Sequence, residues 1–461
     1  MGWYPADRMA DQELHKTWLS SGRFIPRRFI RPALRFTQVE AASGIVLLIA
    51  AVIAVIWANS SIGDTYEELW ETVFKIEVGS FHLEESLRDL VNDGLMAIFF
   101  LVVGLEIKRE LVVGELRDPK AAALPAIAAL GGMIVPALIF IAFVAGEGGE
   151  AARGWGIPMA TDIAFSLGVV ALLGSRVPVG AKLFLLALAI VDDIGAIAVI
   201  AVFYTEDLSF PWLAAAVVSL IVMWLAQKGG VRASAFYWPM GFVAWFFLLE
   251  SGVHATLAGV ALGLMTPARA MYSDEEYHRK STHILKTYAT EPKSPHGDAR
   301  VDHEARQLAS IARESIAPLN RLEHLLHPWS SFLIVPLFAL ANAGVRFGGV
   351  DIVDALTSPV ALGVGIGLLV GKIVGVSAFT ALAVRLGLGR LPRHTTWTHI
   401  VGIAALAGIG FTVSLFVTGL AFEDPALTDL AKIGIFAGSG TAGLIGFFIL
   451  RFSGRPRSAS S

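Results

Sequence analysis

The feature that most constrains this chain is a series of long apolar runs that recurs from residue 41 almost to the end of the sequence. Each run approaches the roughly 20 residues that a helix needs to cross about 30 Å of hydrocarbon. The composition agrees, because 55% of the 461 residues are hydrophobic and only 16% are charged, against about 25% charged in an average soluble domain. A soluble fold could not hide that much apolar surface, so the sequence predicts a membrane protein.

The length and uniformity of the runs predict helices, since barrel strands alternate between apolar and polar residues. The expected fold class is an all-α polytopic membrane protein of about twelve transmembrane helices. Glycine, proline and charged residues divide the runs. This punctuation places helices near residues 41–58, 88–112, 121–145, 157–174, 180–203, 211–226, 235–249, 253–267, 330–346, 358–385, 399–421 and 428–450.

The charges of the loops predict the orientation of the chain, because Lys and Arg in short loops accumulate on the cytoplasmic side. Alternate connections are basic, whereas the opposite set holds only Lys75, Arg153 and Arg346. Both termini are therefore expected inside, with residues 1–40 as a cytoplasmic extension and 452–461 as a cytoplasmic tail. The mostly polar or basic stretch before the first apolar run does not resemble a short cleavable signal peptide. We expect insertion into the cell (inner) membrane, directed by the first helix.

Two further segments divide the predicted transmembrane regions, 41–267 (helices 1–8) and 329–451 (helices 9–12). Residues 72–83 have strand-forming side chains around a Val78-Gly79-Ser80 turn, which predicts an outer-surface β-hairpin. An isolated hairpin is only marginally stable, so we expect it to pair with a second copy. The charged stretch 268–328 predicts a cytoplasmic loop, disordered in the middle, with an amphipathic helix near 303–326.

The most informative run is LFLLALAIVDDIGAIAVIAVF, where Asp192 and Asp193 sit in the middle of an apolar span. A charged side chain at the bilayer centre costs about 2.5–3.5 kcal/mol on insertion scales, and ionisable groups found there are functional by default. The alternative is a structural pair neutralised by a buried base. Neighbouring helical positions face different ways, so the two carboxylates need not share one role.

A second intramembrane acid, Asp162, follows Thr161 in GIPMATDIAFSLG, where the flanking Gly and Pro residues predict an interrupted helix. The alternative is that Pro158 starts a helix and Asp162 caps it. A similar interruption is expected in the glycine-rich stretch 400–417. Paired breaks in the two halves of a chain are typical of a transporter's binding site.

Lys372 lies deep in the glycine-rich span VALGVGIGLLVGKIVGVSAF and is the candidate counter-charge for the aspartates. Its alternative is to extend towards the membrane interface, as long basic side chains do. His254, Glu323 and His324 are weaker candidates, because satisfied interfacial residues are as plausible there. Glu106 and Glu110 lie four residues apart and share a helix face beside Arg109.

Seven segments carry a resemblance to a known family: VNDGLMAIFF, GLEIKREL, ATDIAFSLG, VDDIGAIAVIA, SGVHATLAGV, LHPWSSFLIVPLFALANAGV and GIGFTVSLF. In order, over roughly residues 40–450, they resemble the NhaA-type sodium/proton antiporters. That family is itself a standard example of inverted repeats with broken helices, so these features are implications and not independent predictions. The resemblance implies a repeat of helices 3–5 against 10–12, with helices 4 and 11 unwound near the centre.

The resemblance also implies roles by position. Asp193 matches the principal sodium-binding and proton-exchanging carboxylate, with Asp192 as its neighbour paired with Lys372, and Thr161 and Asp162 match the unwound part of helix 4. The residues matching a pH response near the cytoplasmic funnel are Glu110, His254, Glu323 and His324, and the 72–83 hairpin matches a dimerisation element. Ile373 replaces the proline that often follows the lysine in this family, which puts the local kink in doubt.

The expected function is therefore exchange of Na⁺ or Li⁺ for H⁺ by alternating access, for sodium and pH homeostasis, without an enzymatic reaction or a cofactor. The absence of cysteine excludes thiolate catalysis and Cys-ligated metals, and the formal charge of −3 gives no indication of nucleic-acid binding. An intramembrane aspartyl protease would need a Gly-x-Gly-Asp signature, which the sequence lacks. A sodium-coupled solute symporter stays open as the nearer alternative.

Overall fold

The computed structural model describes residues 40–78, 81–205, 208–231, 234–290, 297–347 and 352–453. The predicted N-terminal extension, except Glu40, lies outside this part of the chain. The Gly79-Ser80 turn and nearly all of the predicted tail lie outside it as well.

The described residues form apolar helices in the predicted order, which confirms the all-α polytopic class. Eight of them are long and apolar enough to cross a membrane, a bent pair makes a ninth, and three more are apolar but shorter. We number them as helices 1–12: Glu40–Ala58, Leu87–Val112, Pro119–Val144, Gly149–Leu173 (broken), Val179–Phe203, Phe210–Lys228, Ser234–Leu249, Thr256–Met265, Pro318–Asn342, Pro359–Arg385, Trp397–Ala421 (broken) and Pro425–Phe452.

The starts of several helices follow from local sequence. Helices 3, 10 and 12 begin with proline, whose missing N–H is no loss in the first turn. The residue before each proline accepts a backbone N–H through its side chain: Asp118, Ser358 and Asp424.

Helix 9 begins earlier than the sequence predicted, at Pro318 and not near residue 330. The cause is packing, since Leu319 and Leu326 are buried against Leu101 and Leu105 of helix 2. The expected amphipathic helix near 303–326 is therefore two elements, because Gly297–Glu314 is a separate helix. A further helix, Asp274–Thr290, precedes it, and residues 291–296, in the stretch expected to be disordered, lie outside the described part.

The hairpin expected over 72–83 is present as two antiparallel strands, β1 (Val73–Val78) and β2 (Phe81–Ser86). It precedes helix 2, and the short helix Asp64–Trp70 lies beside it in the chain. We call this side of the bundle the hairpin end. The opposite side, where Arg117, Arg176 and Arg390 lie, is the basic end.

Helices 3 and 10 touch through their backbones at Gly131 and Gly375. A Cβ at Gly131 would lie 2.3 Å from the Gly375 carbonyl oxygen, and a Cβ at Gly375 would lie 2.1 Å from that of Gly131. Only glycine permits so close an approach. The contact is reciprocal, as expected where two repeats face each other.

Candidate ion-binding site

Helices 4 and 11 are both broken, and the breaks lie against each other. Helix 4 consists of 4a (Gly149–Met159, 3₁₀) and 4b (Ile163–Leu173), whereas helix 11 consists of 11a (Trp397–Ala407) and 11b (Phe411–Ala421), bent by 43°. The Asp162 amide donates to the Ile409 carbonyl at 2.6 Å. A broken helix leaves terminal N–H and C=O groups without intrahelical partners, and here each break supplies partners for the other.

Asp162 lies at the N-termini of two half-helices. Its Oδ1 accepts from the Phe165 amide at 2.9 Å and so caps helix 4b. Its Oδ2 accepts from the Thr412 hydroxyl at 2.6 Å and from the Thr412 amide at 3.2 Å, in the first turn of helix 11b. One buried carboxylate thus faces the positive ends of two helix dipoles. The interruption and the cap, which the sequence left as alternatives, are both present.

Buried hydroxyl groups complete the crossing. The Thr161 Oγ1 lies 2.8 Å from the Ala407 carbonyl. Ser166 of helix 4b donates to the Leu406 carbonyl at 2.8 Å, and Ser414 of helix 11b donates to the Ile157 carbonyl at 2.8 Å. The carbonyl ends of 11a and 4a are therefore satisfied by side chains of the partner helix.

Asp192, in the middle of helix 5, forms a buried ion pair with Lys372 of helix 10. The Lys372 Nζ donates to Asp192 Oδ2 at 2.6 Å and to Thr161 Oγ1 at 3.1 Å. Both side chains of the pair are 0% exposed, so Lys372 does not extend to the interface. Asp192 Oδ1 is buried without a hydrogen-bond partner among the described residues. Each charge of this ion pair needs the other, because both side chains have lost their hydration.

The backbone around Lys372 is irregular even though Ile373 replaces the family's proline. A π-helical turn, Gly367–Gly371, comes directly before Lys372. Such single turns inside α-helices are frequent at functional sites. The irregular backbone before Lys372 is thus a π-helical turn that forms without a proline.

Asp193 is 7% exposed and makes no hydrogen bond or ion pair with the described residues. Leu186 lies two helical turns before Asp193, so the two residues share a face of helix 5. Leu186 lines a cavity of about 760 Å³ at the basic end, together with Glu110 and Leu183. Asp193 thus lies on the cavity side of helix 5, whereas Asp192 points to the crossing.

Arg109 organises a second charged cluster at the basic end. Its guanidinium contacts Glu323 of helix 9, and it also lies 3.8 Å from Glu106 and 3.7 Å from Glu110. Glu110 is itself buried, and its Oε2 accepts the Glu115 amide at 3.0 Å. Of the predicted pH-response residues, Glu110 and Glu323 are therefore brought together.

The other two do not belong to that cluster. His324, next to Glu323, is exposed. His254 Nε2 lies 2.8 Å from the Tyr204 carbonyl, just beyond the C-terminus of helix 5, whereas the Glu110 cavity is lined by the N-terminal part of that helix. A helix of 25 residues is about 37 Å long, so His254 lies at the hairpin end, away from Glu110.

Tyr204 also fixes helix 4a. Its hydroxyl donates to the Arg153 carbonyl at 2.7 Å and accepts from the Gly156 amide at 3.2 Å. Burial raises the pKa of Tyr204 to about 12. The phenol is neutral at physiological pH, as an unshifted tyrosine would be, and can donate its proton to the Arg153 carbonyl.

Sequence reasoning missed Arg109 as the centre of the basic-end cluster, and it missed Thr412, Ser166 and Ser414. Hydroxyl residues inside apolar spans were the available signal, since buried hydroxyls need partners. Their partners are backbone carbonyls, however, and these have no signature in the sequence.

Within the described residues, no group of three or more His, Asp or Glu side chains is arranged to hold a metal ion. Any cation at the two aspartates would therefore need hydroxyl, carbonyl or water oxygens in addition. Thr161 offers one such hydroxyl, 2.7 Å from Asp192 Oδ2.

Comparisons with known proteins identify the family of this chain. The profile of the family described as Na⁺/H⁺ antiporter 1 matches residues 34–450. The Na⁺/H⁺ antiporter NhaA of Syntrophobacter fumaroxidans is 43% identical over 459 residues, which cover 98% of this chain and 97% of that protein. Those of Oleidesulfovibrio alaskensis and Rhodopirellula baltica are 45% identical over 436 residues and 46% identical over 423 residues, covering 93% and 92% of this chain and 96% and 94% of theirs. This chain therefore belongs to the Na⁺/H⁺ antiporter family.

Proposed function

We propose that this protein exchanges Na⁺ for H⁺ across the membrane and that Asp193 and Asp192 carry both ions. The observation that supports this best is the asymmetry of the pair: Lys372 neutralises Asp192, whereas Asp193 has no partner among the described residues. A buried carboxylate without a cation is costly. Binding of either a proton or a sodium ion removes that cost.

Competition between the two ions gives antiport. Sodium is a hard cation that takes oxygen ligands, and the same carboxylate oxygens bind protons. Sodium and protons then exclude each other, and rocking of one bundle against the other exposes the site alternately to each side.

Lys372 and Asp192 are the two candidates for a second proton. Lys372 shares Asp192 Oδ2 with Thr161, so a sodium ion that takes this oxygen competes with the ammonium group. If Lys372 carries the second proton, its ammonium group releases that proton when sodium binds. If Asp192 carries the proton, its carboxyl group releases it. Asp162 and Thr161 line the ion path at the crossing in this proposal.

The pH response is proposed for Glu110 and Glu323, which share Arg109, and for His254 and His324. The first two can act together at the basic end because one guanidinium contacts both. His254 would act separately, through the Tyr204 carbonyl at the hairpin end.

The same proposal includes the setting of the protein. We place it in the inner membrane with both termini and the basic end in the cytoplasm, with Li⁺ as an alternative to Na⁺ and no enzymatic reaction. In the described chain, β1 pairs only with β2, so the hairpin keeps open edges that suit strand pairing with a second copy in a homodimer.

A direct test uses everted membrane vesicles with an established pH gradient. Added Na⁺ or Li⁺ should collapse the gradient in vesicles that contain the protein and not in vesicles without it. A sodium-coupled symporter would need an organic solute for the same response. Absence of collapse without such a solute would contradict exchange.

The competition itself is tested by the sodium Michaelis constant between about pH 6.5 and pH 8.5. Below the pKa of the site, each unit of acidification should raise this constant roughly tenfold, because protons and sodium share the carboxylates. The His254→Ala variant should keep this dependence. A constant that stays flat while the maximal rate changes would show that a separate sensor controls transport.

A further inference from the structure

We propose that Ser166 and Ser414 are positioning residues for ion exchange, each joining one half of helix 4 to the half of helix 11 on the same side of the crossing. They bind no ion themselves. They hold Thr161 and Asp162 in place relative to Asp192. This inference rests on the function proposed above and identifies further residues on which the same site depends.

The bridge on the basic side joins helices 4b and 11a. The Ser166 hydroxyl donates to the Leu406 carbonyl at 2.8 Å, and both residues are fully buried. Leu406 lies in the last turn of 11a, which ends at Ala407, and its carbonyl also accepts the Ile409 amide at 3.1 Å. Ser166 therefore adds a second donor to this carbonyl, and that donor comes from helix 4.

The bridge on the hairpin side joins helices 11b and 4a. The Ser414 hydroxyl donates to the Ile157 carbonyl at 2.8 Å, near the end of 4a, and both residues are again fully buried. The two bridges correspond to each other: in each, a serine of the second half of one broken helix donates to a carbonyl near the end of the first half of the other. The two bonds are thus the same device, placed once on each side by the inverted repeat.

Three other buried hydroxyls in the described chain do not connect helices. Ser219, Thr380 and Thr418 each donate to a carbonyl three or four residues earlier in their own helix. Their loss would change a local bond and leave the spacing between helices unchanged. Ser166 and Ser414 differ because each donates to a residue of another helix. The donor and acceptor residues are 240 residues apart for Ser166 and 257 residues apart for Ser414.

The position of the bridges connects them to the site. Ser166 lies one helical turn after Asp162, and Ser414 lies two residues after Thr412, which donates to Asp162. Without either hydroxyl, a buried hydrogen bond between helices 4 and 11 is lost, and the half of helix 4 that it joined to helix 11 can shift. Asp162 and Thr161 would move with it, and Thr161 lies 2.7 Å from Asp192 Oδ2.

The test measures sodium-driven proton flux of the full chain reconstituted in vesicles, with Ser166→Ala and Ser414→Ala compared with Ser219→Ala. Each of the first two should change the sodium Michaelis constant by about tenfold, the factor expected for one buried hydrogen bond, with the maximal rate within about twofold. Ser219→Ala should keep the parent constant. Recovery in Ser166→Thr or Ser414→Thr, which retain a hydroxyl, would support positioning by that bond.

A parent-like sodium constant in both alanine variants, or an equal change in Ser219→Ala, would overturn the inference. If an alanine variant is lost from the membrane, the serine-to-cysteine variant, which keeps a weak donor, carries the same comparison. If the parent protein itself shows no exchange, the proposed function fails. Exchange by the parent with unaffected variants rejects only the positioning role.

Discussion

The crossing of helices 4 and 11 and the Arg109 cluster at the basic end are both rich in charge, but they are built in opposite ways. At the crossing, Asp192 and Lys372 are 0% exposed and share a single short bond. At the basic end, the Arg109 side chain is 35% exposed and is shared by three glutamates. Water can replace a lost partner in the second region and cannot in the first. Substitutions of charged residues should therefore cause large losses of stability or transport at the crossing and small losses at the basic end.

The largest effect is expected for Asp193→Asn, which should abolish sodium/proton exchange while the protein stays inserted and folded. Asp193 has no hydrogen bond or ion pair within the described chain, so replacing its carboxylate with an amide of similar size removes neither. The measurement is sodium-driven proton flux together with the melting temperature in detergent. Normal flux in this variant would remove Asp193 from the site.

Lys372→Ala should lower stability markedly, because it leaves Asp192 charged and unpaired in a dry region. Removing one partner of a buried pair typically costs about 3–5 kcal/mol. The melting temperature should fall, and a second substitution, Asp192→Asn, should restore part of the loss by removing the stranded charge. An unchanged melting temperature in Lys372→Ala would show that the lysine is not buried against a carboxylate.

Tyr66 extends the comparison to a group that becomes charged only at high pH. Its buried hydroxyl contacts the carbonyls of Leu340 and Ala341 and accepts the Gly344 amide. Burial raises the pKa of Tyr66 from 10.0 to about 12, so the folded state holds its proton longer than the unfolded state. The stability from this group is complete below pH 10 and is lost as the pH rises towards about 12, by roughly 2–3 kcal/mol at most.

The check is the stability of the parent and of Tyr66→Phe in detergent across that alkaline range. The parent should lose more stability than the variant between pH 10 and about 12, even if the variant is less stable at neutral pH. Parallel curves for the two proteins would show that the phenol does not ionise against the fold.

The smallest effect is expected for Arg109→Ala. Partly exposed ion pairs are worth about 0.2–1 kcal/mol each and are screened by salt. The variant should therefore melt only slightly below the parent, with a difference that shrinks at high salt, whereas the Lys372→Ala deficit should persist. A salt-independent loss as large as that of Lys372→Ala would erase the distinction between the two regions.

Much of this architecture was predictable from sequence, because the bilayer requires long apolar helices and makes each intramembrane charge conspicuous. Asp162, Asp192, Asp193 and Lys372 all stood out for that reason, and the structure brings Asp192 and Lys372 into contact. The start of helix 9 could not be predicted from sequence, because the apolar residues Leu319 and Leu326 pack against helix 2. A hydropathy pattern does not distinguish such a face from an amphipathic surface helix.

The partners of the crossing were out of reach for a different reason. Ser166 and Ser414 bond to carbonyls that every residue possesses, so only the three-dimensional path of the chain identifies them. His254 shows the converse limit, since a titratable residue in a family motif says nothing about which end of a helix it occupies.

The reciprocal contact of Gly131 and Gly375 has a consequence for how this sequence can vary. Each Cβ would meet a backbone carbonyl of the other helix at 2.1–2.3 Å, and a carbonyl is the same whatever the side chain. A substitution at one glycine therefore cannot be rescued by a smaller residue at the other, because none exists. We expect that libraries randomised at both positions will return glycine at each, selected by the folded backbone independently of transport.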